Sequence, residues 1–335
     1  MKHLTILVPD VQTANSTISC IVGAYQLFTG ANDYWKRIGK EPLFNIVTAG
    51  VGTEATFING LLSMKPQVNI SSLKKTDLIL IPSLTPEFKT ALEGNILLID
   101  WLRKQYDSGA EVASMCTGAY MLAASGLLEK KNCSIHWSSA DNFRSLFPNV
   151  NLKTEKLITD EDGIYTNGGG FSFLNLLLYL VEKYYDRETA IHCSKIFQIE
   201  IDRQTQSAFT IFTGQKSHGD DVVIKAQKYI EDNFCEKLSV EDLSKFCSVG
   251  RRNFDRRFIK ATGNTPIEYL QRVKIESAKK AFETTSKTVS EVMYEVGYSD
   301  TKAFREMFKK ITGISPVHYK NRYNKNLHDS LYDKV

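Results

Sequence analysis

The chain has 335 residues, 42% of them hydrophobic and 24% charged, with a formal net charge of +4. That composition and length suit two or three globular domains and exclude a fibrous or wholly disordered chain. No apolar run reaches the ~18 residues needed to span a membrane, and Met1–Pro9 runs straight into a strand-like segment with no charged stretch before it, so neither a membrane partner nor a signal peptide is expected. The six cysteines, at positions 20, 116, 133, 193, 235 and 247, form no Cys-x-x-Cys pair. They point away from a zinc site or a disulfide framework and towards a reducing cytoplasm. No metal and no cofactor is expected.

The first ~195 residues alternate between two patterns. Short apolar runs at Leu4–Val8, Phe44–Thr48, Asp77–Ile81 and Glu111–Met115 read as buried parallel strands. Helical patterns at Ile18–Phe28, Asn95–Tyr106, Gly118–Leu128 and Phe171–Tyr184 lie between and after them. This alternation predicts a doubly wound, flavodoxin-like α/β sheet, with its sites at the carboxyl ends of the strands. Residues 196–221 hold Gln198, Gln204, Thr205, Gln206, Ser207, Gly214, Ser217 and Gly219 without a sustained period, and read as a linker. From Val222 onward everything looks helical. The boundaries are therefore 1–195, a linker at 196–221, an all-α domain at 222–325 and a tail at 326–335.

Charge follows the same division. Residues 225–325 carry 21 Lys and Arg against 13 Asp and Glu, a net +8, whereas residues 1–224 carry 20 against 23, a net −3. A basic helical module on a slightly acidic body is the footprint of a nucleic-acid binder on a carrier domain.

That module repeats. Phe254/Phe304, Phe258/Phe308, Lys260/Lys310, Thr262/Thr312, Gly263/Gly313, Pro266/Pro316 and Tyr269/Tyr319 agree at an offset of 50, and Val240/Val289, Leu243/Val292 and Cys247/Val296 align at 49. Ser239 with Asp242, and Thr288 with Glu291, form capping boxes that start a first helix. A tight turn follows, Ser248-Val249-Gly250 or Gly297-Tyr298-Ser299, and then a second helix that ends at Gly263 or Gly313 as C′ glycine. Thr265-Pro266 and Ser315-Pro316 begin the next helix. Two short helices joined by a three- or four-residue turn make a helix-turn-helix, and two copies are too few for a solenoid. The second helix of the first copy carries Arg251, Arg252, Asn253, Asp255, Arg256 and Arg257 around Phe254 and Phe258, a cluster suited to phosphate and guanine contacts.

On these residues the segment 222–325 resembles the AraC/XylS-type DNA-binding domain, two helix-turn-helix units joined by a long helix, here Pro266–Phe282. The resemblance implies that the second helix of each unit enters a major groove of double-stranded DNA. It places base contacts on Arg252, Asp255 and Arg256, flanked by Arg251, and on Thr301, Lys302 and Arg305. Glu306 stands where the family often has arginine.

In the first domain, Glu111–Leu128 reads as a strand, a small-residue turn and a helix, with Cys116 at the turn as in a nucleophile elbow. A helix N-terminus there would lower the thiol's pKa and leave it partly exposed. His136 in Ser134-Ile-His136-Trp137 could act as its base. With Asp100-Trp101-Leu102, Cys116-Thr117-Gly118-Ala119, Gly126-Leu127-Leu128, His136-Trp137 and Asn167-Gly168-Gly169, residues 1–195 resemble the class I glutamine-amidotransferase-like superfamily in its PfpI-like branch. More closely, they resemble the sensor domain fused to AraC-type domains in one regulator subclass. The enzymatic branch has a carboxylate just after its first strand, where this chain reads Val11–Thr17 without an acid. It also has a Gly-Gly where this chain has Ser83-Leu84. Both losses undermine nucleophilic catalysis.

The expected function is a cytoplasmic, non-enzymatic transcriptional regulator, whose first domain senses a small molecule or mediates homodimerisation and whose partners include promoter DNA and RNA polymerase. Cys116, His136 and Ser83 are its pocket candidates. The alternative is a cysteine-dependent hydrolase or deglycase fused to a DNA-binding domain.

Overall fold

The computed structural model describes residues 1–10, 15–58, 60–84, 87–216 and 218–324. The chain divides into two compact units, Met1–Gln206 and Ser207–Val335. The segment 196–221 is shared between them, and residues 11–14 of the stretch after the first strand and the tail at 326–335 lie outside the described residues.

In the first unit a seven-stranded sheet runs, edge to edge, Ile158–Glu161, Ile164–Asn167, Glu111–Ser114, Leu78–Ile81, Lys2–Leu7, Phe44–Gly50 and Val68–Asn69. All pairings are parallel except that of Ile158–Glu161 with Ile164–Asn167. Leaving out the two edge strands, the spatial order is second, first, third, fourth and fifth strand, which is the flavodoxin-like winding. Strand side chains alternate between two cores. Leu4, Ile6, Leu78 and Leu80 face one that includes Leu176, Leu177 and Leu180 of the helix Phe173–Tyr184. Leu7, Ile79, Ile81 and Val112 face the other, with Leu98 and Leu102 of the helix Ile96–Asp107. Both faces are covered, which is why these strands read as unbroken apolar runs.

Three helices begin or end elsewhere than their periodicity predicts, and the expected Ile18–Phe28 helix runs over Asn15–Arg37. The expected Gly118–Leu128 helix is a 3₁₀ turn, Cys116–Gly118, followed by a short α-helix, Ala119–Ala124. Ser125 closes it and Gly126 follows with φ 79°. The expected helix from Phe171 starts instead at Phe173, behind a 3₁₀ turn over Gly170–Ser172 whose Gly170 has φ 63°.

The described residues of the second unit form α-helices at Asp221–Asp232, Val240–Phe246, Arg251–Thr262, Pro266–Thr284, Val289–Glu295, Thr301–Thr312 and Pro316–Tyr323. The capping boxes at Ser239/Asp242 and Thr288/Glu291 are present, and Thr265 with Glu268 forms a third. Gly263 and Gly313 close their helices in the left-handed region at φ 67° and 79°. The repeated apolar positions build two separate cores. Leu243, Cys247, Phe254, Phe258 and Tyr269 belong to one, and Val292, Val296, Phe304, Phe308 and Tyr319 to the other.

Candidate DNA-reading helices and the cysteine turn

Phe254 and Phe258 are fully buried, so the helix Arg251–Thr262 turns its opposite face outward. Arg252 and Arg256, four apart, are both exposed on it. Their neighbours already have counter-charges. Arg251 pairs with Glu241 and lies 4.0 Å from Asp255, and Arg257 donates to both oxygens of Asp220, from Nε at 2.8 Å and from a terminal nitrogen at 2.6 Å. The Arg257 contact also holds Asp220, the N-cap of Asp221–Asp232, below the usual carboxylate range. Arg256 donates to Asn253 Oδ1 at 2.9 Å, and neither Arg252 nor Arg256 has an ion pair among the described residues. Of the arginine cluster, two side chains stay available to an outside acceptor.

The second copy is built alike. Phe304 and Phe308 are buried, and Thr301, Lys302 and Arg305 are exposed. Asp300 caps the helix by accepting from the backbone of Lys302 at 2.7 Å and Ala303 at 3.0 Å. Glu306, at the place of Arg256, is exposed too, so this helix offers a less basic face.

The cysteine turn departs from expectation. Cys116 has φ 55°, the strained backbone of an elbow, but its side chain is not partly exposed: the residue is 7% accessible. Burial pushes its thiol up from the ordinary value, against a weaker downward pull from hydrogen bonds to the backbone of Gly170 and Thr117 and to the Thr117 side chain. The expected lowering fails because a single 3₁₀ turn of three residues follows the strand, so the helix-dipole help is small and desolvation wins.

The turn is locked by its neighbours. The Thr117 hydroxyl donates to the Leu84 carbonyl at 2.7 Å, and the Leu84 N–H donates back to Thr117 Oγ1 at 2.9 Å. Gly118 lies so close to the third strand's exit that a Cβ would sit 2.6 Å from the Pro82 carbonyl oxygen. Ser83 is fully buried. Its Oγ is 2.7 Å from Ser16 Oγ and 3.7 Å from Cys20 Sγ, and its carbonyl accepts from Thr17 at 2.6 Å. The Leu84 N–H is thus spent on Thr117 where an enzyme would aim a donor at an oxyanion.

His136 caps the short turn Trp137–Ser139, its Nδ1 accepting from the Ser138 N–H at 3.2 Å. Burial moves its pKa down, favouring the neutral ring. No hydrogen bond joins it to Cys116 among the described residues. The two meet the same glycine turn instead: Cys116 through Gly170, and His136 by packing against Gly169, where a Cβ would fall 1.5 Å from its ring. Gly168 likewise admits Gln206, whose Nε2 donates to the carbonyls of Ile135 and Thr154 at 2.8 Å each. The sequence names Thr117 and Gly118 only within the family motif and Gln206 only within the linker, and their packing roles went unread; the small-residue run after Cys116 and the three consecutive glycines are the signals of close packing.

Alkylation separates the cysteines. Cys235 is exposed and Cys116 is buried. Iodoacetamide at pH 8 is expected to modify Cys235 first and Cys116 at least about tenfold more slowly, because the thiolate is the reacting form and both access and thiolate fraction are reduced at Cys116. Peptide mapping by mass spectrometry against time reads this out. Equal rates at pH 7 would mean that Cys116 is open and activated.

Comparison with known proteins agrees with both units. A family model described as a helix-turn-helix domain matches residues 243–322, and one described as the DJ-1/PfpI family matches residues 40–182. The HTH-type transcriptional regulator GbdR of Pseudomonas aeruginosa (strain UCBPP-PA14) is 26% identical over 224 residues, which cover 65% of this chain and 59% of that protein, so the match spans less than two thirds of that relative. The HTH-type transcriptional regulator GlxA of Rhizobium meliloti (strain 1021) is 24% identical over 227 residues, 66% of this chain and 68% of that protein. Among solved structures, a protein from Vibrio parahaemolyticus is 21% identical with a TM-score of 0.51, covering 58% of this chain and 98% of that one, a likeness of fold.

Proposed function

We propose that this chain, which belongs to the proteins that join a DJ-1/PfpI domain to an AraC-type helix-turn-helix domain, is a DNA-binding transcriptional regulator whose first unit senses a small molecule or pairs two copies and catalyses nothing. The observation that carries the first half is the duplicated helix pair. Each copy has its own aromatic core and presents one exposed polar helix face, and in the first copy two arginines on that face have no counter-charge among the described residues. Arg252, Arg256, Lys302 and Arg305 read bases or phosphates, and Thr301 and Asp255 adjust the fit. Arg251 holds the helix in place through Glu241. RNA polymerase is the second macromolecular partner, and the protein works in the cytoplasm.

The non-catalytic reading rests on the buried, hard-to-ionise Cys116 and on the Leu84 N–H taken by Thr117. A nucleophile needs an activating base and a waiting oxyanion donor, and neither is arranged about this thiol among the described residues. Steady-state assays on peptide, amide and glycated substrates should show negligible turnover. Turnover abolished by Cys116→Ser would establish the enzyme reading instead.

The direct test is selection of duplexes from a random pool by the full chain, followed by mobility shifts on the enriched sequence. A fragment should bind the same duplex. It is best begun at Ser207, because the segment before the first helix is packed: Phe212 makes an edge contact with Tyr269 at 5.1 Å, its N–H donates to Glu276 at 3.1 Å, and Arg322 lies 4.9 Å over Phe209. A fragment begun at Val222 should melt roughly 5 °C or more below it, since it lacks an aromatic pair worth about 1 kcal/mol in a domain of this size. Equal melting would show that residues 207–221 add no stability. Failure of both fragments to fold would mean that the second unit depends on the first.

A further inference from the structure

The two reading helices carry opposite charge at the centre of the face they turn outward. At an offset of 50 residues the first presents Arg252, Arg256 and Lys260, and the second Lys302, Glu306 and Lys310, all of them exposed. A cation stands at every one of these places except that of Glu306. The place is central. At about 100° per residue, Glu306 lies roughly 160° around the helix from both Phe304 and Phe308, the buried side chains that fix which face points inward. Arg256 stands in the same relation to Phe254 and Phe258. The other reversal between the copies, Asp255 against Arg305, lies nearer the buried stripe, and there Asp255 is half-buried and 4.0 Å from Arg251.

The Glu306 carboxylate is uncommitted. Lys302 and Lys310 stand four residues to either side and Lys309 three residues on, the spacings at which helical side chains meet. Even so, Glu306 takes part in no ion pair and no hydrogen bond among the described residues. Arg256 donates to Asn253 on its own helix, whereas the residue matching Asn253 in the second copy is Ala303, which has no polar side chain to hold Glu306.

A carboxylate at the centre of a reading helix weakens binding to every duplex, because it is carried in between two phosphate backbones. Only a hydrogen-bond donor offsets that repulsion. The major groove offers two, the N4 amino group of cytosine and the N6 amino group of adenine. They are not equivalent. Adenine N6 stands beside the N7 acceptor, which repels the second carboxylate oxygen, whereas cytosine N4 stands beside a C–H edge. Cytosine is therefore the better partner, and the flanking lysines can hold phosphates on either side of it.

We propose that Glu306 is a specificity-determining residue, which accepts a hydrogen bond from the N4 amino group of a cytosine in the groove read by the second copy. It excludes guanine and thymine at that position, because their groove-facing oxygens would meet its charge. The proposal rests on the DNA-binding reading above and gives the two copies different tasks. The first, cationic at its centre, supplies more of the affinity. The second supplies less affinity and more discrimination.

The test is selection from a random duplex pool by the full chain as wild type and as Glu306→Gln, Glu306→Arg and Glu306→Ala, followed by mobility shifts. Circular dichroism melts of all three variants should match wild type, since the side chain is exposed and bonded to nothing within the chain. One position of the selected sequence should be cytosine in wild type and should change with the side chain. Glutamine should select adenine there, because its amide accepts from N6 and donates to N7; arginine should select guanine, and alanine should show no preference. The remaining positions should not move. Glu306→Ala should lower the ratio of affinity for the selected over a scrambled duplex roughly tenfold. It should bind the scrambled duplex at least as tightly as wild type does, since a repelled charge is gone. A glutamate that is merely solvated gives another pattern: one selected sequence for all four proteins, with each variant tighter on every duplex. That result would overturn the proposal and leave the regulator reading standing, as would a responding position that holds a base other than cytosine in wild type. Failure of the wild type to enrich any duplex would remove the regulator reading itself, and the proposal with it.

Discussion

Arg252→Ala and Arg256→Ala should each weaken binding to the selected duplex by about 1–3 kcal/mol, and each should relax preference at a base pair. The two guanidinium groups stand on the exposed face of Arg251–Thr262 without ion pairs among the described residues, so both can meet a guanine edge without first breaking an internal ion pair. Arg257→Ala supplies the contrast. That side chain is committed to Asp220, the cap of the helix Asp221–Asp232, and its loss should lower the melting temperature more than it changes base preference. Arg251, committed to Glu241, should behave between these limits. In the second copy Lys302→Ala and Arg305→Ala should have smaller effects, because exposed Glu306 already opposes the phosphates there. Mobility shifts at several salt concentrations, on selected and scrambled duplexes, read all of this, since removing one phosphate-binding cation reduces the slope of log affinity against log salt by about one. Equal weakening of Arg256→Ala on both duplexes would assign that residue to the phosphate backbone rather than to a base.

What could be read from the sequence, and what could not, follows the range of the interactions. The helical repeat was legible because capping boxes, the αL glycines Gly263 and Gly313, and the Thr-Pro and Ser-Pro starts are all local, each fixing the backbone within a few residues. The parallel strands were legible because both faces are buried. The hairpin Ile158–Asn167 was not: its turn residues Glu161-Asp162-Gly163 and its partly exposed outer strand interrupt the apolar pattern, and its pairing with Glu111–Ser114 is long-range. The ionisation of Cys116 failed for a related reason. The turn was visible in the sequence, but burial depends on Gly118 seated on the Pro82 carbonyl and on the Gly168–Gly170 turn, and no spacing reveals those approaches.

Phe308→Ala should destabilise the second helix-turn-helix copy by about 3–5 kcal/mol, the usual loss for a buried phenylalanine. Phe308 is fully buried and packs edge-on to Phe282 at 5.7 Å and to Tyr319 at 5.5 Å, and it also lies beside Phe304. A core of nine buried residues holds few alternatives to close the void. The damage should stay local. The first copy has its own core around Phe254, Phe258 and Tyr269, and of the described residues packed against these cores only Phe234 flanks both. Native-state hydrogen exchange should therefore show amides of Val289–Glu295 and Thr301–Thr312 losing protection while those of Arg251–Thr262 keep theirs, and Phe258→Ala should give the mirror image. The variants should retain part of their affinity for the selected duplex, because one reading helix survives, with a shallower salt dependence than wild type. Loss of protection in both copies from either variant would show that the helix Pro266–Thr284, which contributes Tyr269 and Leu270 to one core and Ile275, Ala278 and Phe282 to the other, fuses them into one cooperative unit.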